Sequence, residues 1–401
     1  MKRVSIAIAF TLLTINALCQ IPDFTLLPQL AWKFKAMNDF VASPVIENDI
    51  VYIGSIDSNM YAINLTSGKM IWKFKTAGQI RSTVCINGND LFFMSGDGLY
   101  SLDKTKGKQL KKYKTGGEKQ YDVYDYHQCS PVIYNGKLYV GSSDSNIYVF
   151  NPATLELLWK YKTNGMVHAA FAFGKGKLFA GSFDGNLYAI NTDNGQLVWK
   201  FKSLGHDFFP KGELQFPPTY ANGRVYTGGR DYNLYAIDAE KGIVHWTRAY
   251  PGGWVTDISL SPRTDSVLLV TTSDPLVLVC MDGIYGSDIW ETKLKSEVFG
   301  KCVYSQSKIY VGTALGKLDC IDRRTGRIEW AYANESYTAN QSQYLKADET
   351  LRDDIDKILK TGDDYITMSE KLGGIFNTVA ITNDYLVSSI TNGTLYCLKR
   401  I

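Results

Sequence analysis

Three of the four histidines in this 401-residue chain, His127, His168 and His206, stand before or within consecutive units of a long repeat, and each has ionisable company. His127 follows Tyr121, Asp122, Tyr124, Asp125 and Tyr126; His206 is followed by Asp207, Lys211, Glu213 and Gln215. Arg81 and His168 share one register at the start of an inner strand, and Arg230, Asp231, Trp254 and Asp257 fall near the same rim. A neutral imidazole takes a proton, a phenol returns one, and a guanidinium neutralises a carboxylate. Together these are the means of a polysaccharide lyase working beside a uronate. The same aromatic and ionisable types, without a substrate-sized gap, make a recognition surface for a protein or a glycan. No spacing forces the three rings together, so the elements that carry them decide. His245, beside Trp246 in an outermost strand, reads as structural.

Those elements follow a repeat: apolar strand, turn, apolar strand ending in Gly, tight turn, Leu-Tyr-Ala-Ile-type strand, Asp/Asn-x-x-x-Gly, then an apolar-Trp-Lys strand. Its anchors are Trp32, Trp72, Trp159, Trp199, Trp246, Trp290 and Trp330, with Lys111 in the same register, which makes eight units. Gly68, Gly107, Leu155, Gly195, Gly242, Gly286 and Gly326 stand four residues before positions 72, 111, 159, 199, 246, 290 and 330. The Asp or Asn opening this turn caps backbone N–H groups, and the Gly takes the left-handed conformation that sends the next strand back antiparallel. Asp57, Asp97, Asp144, Asp184, Asp231 and Asp274 read as formers of the tight turn between strands two and three. Four short strands per unit of about 40 to 48 residues predict an all-β, eight-bladed propeller. Ala31-Trp32-Lys33-Phe34 is a fourth strand with nothing before it, and Leu395-Tyr396-Cys397-Leu398 a third strand with none after it, so the ends are expected to close the ring together.

The run from Gly54 through Asp57, Tyr61-Ala62-Ile63-Asn64 and Gly68 to Trp72, with close copies at 181–199 and 228–246, resembles the repeat of PQQ-like, quinoprotein-type propellers. Over residues 30–401 the chain is most similar to BamB-like exported envelope propellers. The resemblance implies the fold; the same architecture hosts unrelated activities. Quinoprotein dehydrogenases resemble one another in an adjacent Cys-Cys pair and a calcium site, and this chain has no such pair. The expectation is therefore no PQQ and no other cofactor, and a quinone-dependent oxidoreductase is the remote alternative. No C-x-x-C or H-E-x-x-H occurs, so no metal is expected.

Met1-Lys2-Arg3 before the apolar run Val4–Leu18 has the layout of a signal peptide, with Ala17 and Cys19 suited to cleavage before Gln20. A periplasmic or secreted protein is expected, with lipoprotein anchoring at Cys19 the lesser alternative. A net charge of +3, from 43 basic and 40 acidic residues, gives no field suited to nucleic acid. No later run is apolar enough to span a bilayer. Cys280, Cys320 and Cys397 align with Ala62, Ala189 and Ala236 and are expected in equivalent core positions; Cys302 with Cys320 is the one pair to check for a disulfide.

Insertions gather between the fourth strand of one unit and the first of the next: 19 residues from Lys111 to Ser130, 18 from Trp199 to Pro217 and 48 from Trp330 to Thr378. The last, at 333–374, contains Leu351, Ile355, Ile358 and Leu359 at helical spacing, with Thr361-Gly362 read as a stop. The expected function is a non-enzymatic, monomeric binding or assembly scaffold of the cell envelope, its loop-rich face meeting a protein or polysaccharide. Candidate binding residues are Arg81, Tyr124, Asp125, His127, His168, His206, Asp207, Arg230, Trp254 and Asp257. The alternative is the carbohydrate-active enzyme described above.

Overall fold

The computed structural model describes residues 21–261, 267–274 and 276–401; the leader expected at 1–19, with Cys19, lies outside them. Strand β1 (Gln29–Lys35) is followed by seven four-stranded antiparallel meanders: β2–β5 within 45–75, β6–β9 within 85–114, β10–β13 within 132–162, β14–β17 within 172–202, β18–β21 within 219–249, β22–β25 within 255–293 and β26–β29 within 303–333. The eighth sheet is β1-β32-β31-β30, where β30 is Ala380–Ile381, β31 Tyr385–Ile390 and β32 Thr394–Lys399. These are blades 1 to 8 of a propeller. Trp32 lies opposite Cys397 and Lys33 opposite Tyr396, so the first strand completes the last blade as the sequence predicts.

Blade-to-blade cohesion comes from the tryptophans. Trp32, Trp72, Trp159, Trp199, Trp246 and Trp290 each lie against the turn glycine of the next blade, and a Cβ on that glycine would come within 2.5 to 3.1 Å of the ring, as at Gly107 against Trp72 and Gly286 against Trp246. In five of them the indole N–H donates to a carbonyl of the same turn, as from Trp32 to Leu65 at 2.6 Å, Trp72 to Lys104 at 3.0 Å and Trp199 to Ala239 at 3.1 Å, whereas the Trp159 indole N–H has no such partner. The glycine is thus required twice, for its positive φ (Gly195, +72°) and for the ring over its face. Lys111 replaces tryptophan in blade 2, and the facing turn in blade 3 is the one that carries a side chain, Leu155, at φ 55°. Leu155 fills that seam by packing with Phe92 and Leu99.

Four of the six turn aspartates, Asp57, Asp144, Asp184 and Asp231, do what their spacing predicts: the Asp57 carboxylate accepts from the Asn59 N–H at 2.9 Å, and Asp184 from Asn186 at 2.8 Å. They also accept from a tyrosine on the third strand, Tyr61 to Asp57 at 2.6 Å and Tyr148 to Asp144 at 2.7 Å. Cys280, Cys320 and Cys397 are buried opposite Trp290, Trp330 and Trp32, as Ala62 is opposite Trp72. The pair Cys302 and Cys320 is not formed; both are free, and Cys302 packs instead with Cys280 of the neighbouring blade.

The insertion is helical, but not where the apolar spacing places the helix. Helix α1 (Glu335–Tyr344) and helix α2 (Gly362–Leu372) flank a segment with a short 3₁₀ turn at Ile355–Lys357. Leu351 makes an isolated bridge to Leu345, and of the four periodic residues only Ile355 and Leu359 are buried. Thr361 is a start rather than a stop: it caps α2 in a reciprocal capping box with Asp364. No helix among the described residues is long and apolar enough to cross a membrane.

Candidate functional site

The long connection after blade 2, residues 115–131, crosses the mouth of the central channel and reaches the turns of blades 3, 4 and 5 and the connections that lead into blades 2, 5, 6, 7 and 8. The Gly116 N–H reaches Asp144 at 2.7 Å, the Tyr121 ring packs on Phe183 at 4.6 Å, and its hydroxyl donates to Glu213 at 3.0 Å. Tyr124 meets Trp254 edge-on at 5.5 Å, and Tyr126 meets Phe299 and Phe376 at 5.6 and 4.6 Å. Arg81 of blade 2 donates to the Asp125 carbonyl at 3.1 Å. Arg230, 1 % exposed, forks onto the Asp122 carboxylate and binds Gln215, its guanidinium 4.6 Å from the Trp254 ring and 5.7 Å from those of Tyr121 and Phe209. A buried, bidentate, ring-caged arginine of this kind is a structural pin.

This plug divides the candidate residues between two cavities. Toward the channel lies one of about 360 Å³, lined by His127, His168, Gln215, Asp257, Lys301 and Asn377 among others. Toward the loop-bearing face, beneath α2, lies one of about 330 Å³, lined by Arg81, Tyr126, Asp39, Asp363 and Glu370. Imidazoles therefore line the first, and arginine and tyrosine the second. His206 lines neither; it packs on Tyr232 at 4.4 Å beside the exposed Asp207. The imidazoles and the arginine–tyrosine pair that a lyase would use around one sugar thus line different cavities.

Electrostatics in the channel cavity favour uncharged forms. His127 has protein on every side apart from the cavity it faces; burial lowers its pKa to about 4, with Arg81 and His168 acting the same way and Asp125 opposing. Burial raises the Asp257 pKa against the pull of Lys301, and its Oδ1 is buried without a hydrogen-bond partner. In the second cavity burial and Glu370 raise Asp39 to about 7. Among the described residues no group of three or more His, Cys, Asp or Glu is placed to hold a metal.

One constellation escaped the sequence reading. The His168 Nδ1 is 2.9 Å from Asp125, and its Nε2 2.7 Å from the Ser143 hydroxyl, which are the distances of a nucleophile–base–acid relay. The Ser143 oxygen is fully engaged: it accepts from the Lys119 N–H at 2.8 Å and lies 2.9 Å from the Lys119 carbonyl and 3.1 Å from Glu118. It does not line either cavity. A nucleophile needs open approach to a substrate atom, so these bonds tie the plug to blades 3 and 4 instead. Ser143 belongs to a turn common to all blades, and only the long-range fold marks it out.

Comparison with known proteins places this geometry. The family profile described as outer membrane protein assembly factor BamB matches residues 29–169 and 143–400. No curated protein sequence matches. Among solved structures, BamB from Moraxella catarrhalis is 15 % identical, covering 93 % of this chain and 100 % of that one, with a TM-score of 0.67. The quinohemoprotein alcohol dehydrogenase ADHIIG from Pseudomonas putida HK5 is 12 % identical, covering 92 % of this chain and 76 % of that one, with a TM-score of 0.66. The computationally designed Ika8 protein is 14 % identical, covering 93 % and 100 %, with a TM-score of 0.69. At such identities the likeness is one of fold.

Proposed function

The chain belongs to the family of the outer membrane protein assembly factor BamB, and from that premise we propose that it is a non-enzymatic, exported propeller of the cell envelope whose loop-bearing face docks a protein partner. The observation that carries this reading is a set of apolar side chains left in solvent on that face, apart from those along the outermost strands. Met37, Val123, Leu204, Phe208 and Tyr365 are 89, 44, 75, 79 and 41 % exposed, and all five stand on connections between the fourth strand of one blade and the first of the next. Such connections share one face of a propeller, and exposed apolar side chains gathered on a rigid face suit a protein interface. The plug, the arginine pin and the insertion make that face stiff, so little ordering cost attends binding.

The reading includes no quinone. A quinone bearing several carboxylates would meet Asp257 in the channel cavity, where Lys301 is the only lysine or arginine among the described residues of the lining. It is a reading of a soluble or tethered monomer after leader removal. The test is affinity capture from envelope extract with the intact protein and with a Leu204→Asp, Phe208→Asp variant of unchanged melting temperature. Loss of one discrete protein from the variant supports the proposal. Release of unsaturated uronates from acidic glycans by the purified protein, read as a rise in ultraviolet absorbance, overturns it in favour of the lyase.

A further inference from the structure

Blade 7 departs from the repeat at two linked positions. In blades 1, 3 and 4 the third strand carries a tyrosine whose hydroxyl donates to the aspartate of the preceding turn, at 2.6, 2.7 and 2.5 Å, and in blade 5 Tyr235 bonds Asp231 likewise. In blade 7 the turn position is Leu315, and the tyrosine position, on β28 (Lys317–Asp322), is Asp319. The phenol is gone and a carboxylate stands in the strand.

The vacated space is a cavity of about 150 Å³. Its blade wall includes Asp319, Leu315, Ile328 and Ala331, and its roof is the insertion, through Tyr337 of α1, Leu345 and Glu349. Asp319 is 5 % exposed and, alone among the lining carboxylates, has no hydrogen bond or ion pair among the described residues. The other carboxylate, Glu349, is taken by Lys317, whose ammonium lies 5.2 Å from the Tyr337 ring centre. The Tyr337 hydroxyl is buried with no hydrogen-bond partner of normal geometry.

A buried carboxylate without a partner is costly, and a cation supplied from outside removes that cost. The rest of the wall combines Leu315, Ile328, Ala331 and Leu345 with Lys295, Ser296 and Thr313, and a cavity of about this volume accommodates a benzene-sized body. We propose that the cavity beneath the insertion is a binding site for a small primary amine of roughly six non-hydrogen atoms, its ammonium on Asp319 and its hydrocarbon against Leu315, Ile328 and Leu345. The insertion then serves as the roof of a ligand site as well as a decoration of the face. This proposal does not depend on the identity of the docking partner.

Titration of the purified full chain with n-butylamine tests it, followed by calorimetry and by the carboxyl carbon signal of Asp319, with n-butanol and n-pentanoate as neutral and anionic counterparts of similar size. Saturable binding of the amine is expected, at least tenfold tighter than either counterpart. Affinity should rise as pH increases through about 7, where Asp319 ionises under the influence of burial, Lys317 and Glu349, with Lys295 and Tyr337 the other ionisable groups on the lining. Asp319→Asn should lose at least tenfold. Because one polar substitution in a core can disturb folding, a second variant restores the repeat: Leu315→Asp with Asp319→Tyr fills the cavity and should melt no lower than the parent while losing the amine. Equal binding of butanol, undiminished binding by Asp319→Asn, or no saturable binding of the amine would overturn the assignment.

Discussion

His127 is held uncharged by its surroundings, and that has a measurable sign. Its pKa of about 4 lies below the usual histidine value, so between pH 6.5 and 4 the unfolded chain takes up a proton that the folded one refuses. Stability contributed by neutral His127 is complete above pH 6.5 and is lost as pH falls toward 4, by up to about 1.4 kcal/mol per unit. Urea unfolding at pH 7.5, 5.5 and 4.5 should show a shallower acid loss in His127→Gln than in the parent. Equal slopes would mean that the imidazole is solvated. Asp39 and Asp319, raised to about 7, act oppositely, since their folded forms retain a proton that the unfolded chain releases. Their stabilisation is full below about pH 4 and is lost as pH rises through 7, so the variant comparison, rather than the overall profile, isolates the histidine. At this scale the shared register of Arg81 and His168 was legible in the sequence, although the two side chains line different cavities. It could not reveal Ser143 or Glu118 beside His168, since their meeting depends on the path of a 17-residue connection with no periodicity of its own (115–131).

Elements were legible where partners are close in sequence or repeat at fixed spacing. The tryptophan and the turn glycine follow such a rule, and its exception is informative: lysine at 111 is answered by a side chain at 155. Lys111→Trp alone should destabilise the protein by about 1–3 kcal/mol, because the indole would meet Leu155. Adding Leu155→Gly should recover most of that loss, with a favourable coupling of about 0.5–3 kcal/mol in a double-mutant cycle of denaturant midpoints. Simple additivity would refute the seam described here. The insertion shows where pattern reading fails. Leu351, Ile355, Ile358 and Leu359 have helical spacing, yet the Asp348 carboxylate binds the Thr350 N–H at 3.0 Å and Glu349 adopts φ 66°, so turn chemistry wins over a weak apolar stripe. The signal that would have corrected the reading was present: Thr361-x-x-Asp364 has the layout of a capping box and marks a beginning.

The whole molecule is a ring whose weak point is the place where its first and last strands meet. There the tryptophan of blade 7 has no turn to dock on, because β32 and β1 belong to opposite ends of the chain. Phe24 supplies the missing surface: its carbonyl accepts from the Trp330 indole at 2.7 Å, its N–H donates to the Tyr310 hydroxyl at 2.9 Å, and the Arg400 guanidinium lies 4.2 Å from its ring centre. Phe24→Ala should cost about 3–5 kcal/mol, as for a fully buried aromatic, and should raise hydrogen exchange in β1 and β32 before the other blades. Uniform exchange in all blades would show that closure does not depend on this contact. The ring itself was foreseeable from strand counting, whereas the role of Phe24 was not, because a lone aromatic outside the repeat has no register to reveal its partner.

Pairing of β1 with β32 also orders events in time. A ribosome or a translocation pore releases residues 29–35 long before residues 394–399, so the opening strand must wait, exposed along its edge, until the seven intervening blades and β32 have emerged. Any product truncated before that point keeps an unsatisfied β-edge, the feature by which proteases and chaperones tell an unfinished polypeptide from a completed one.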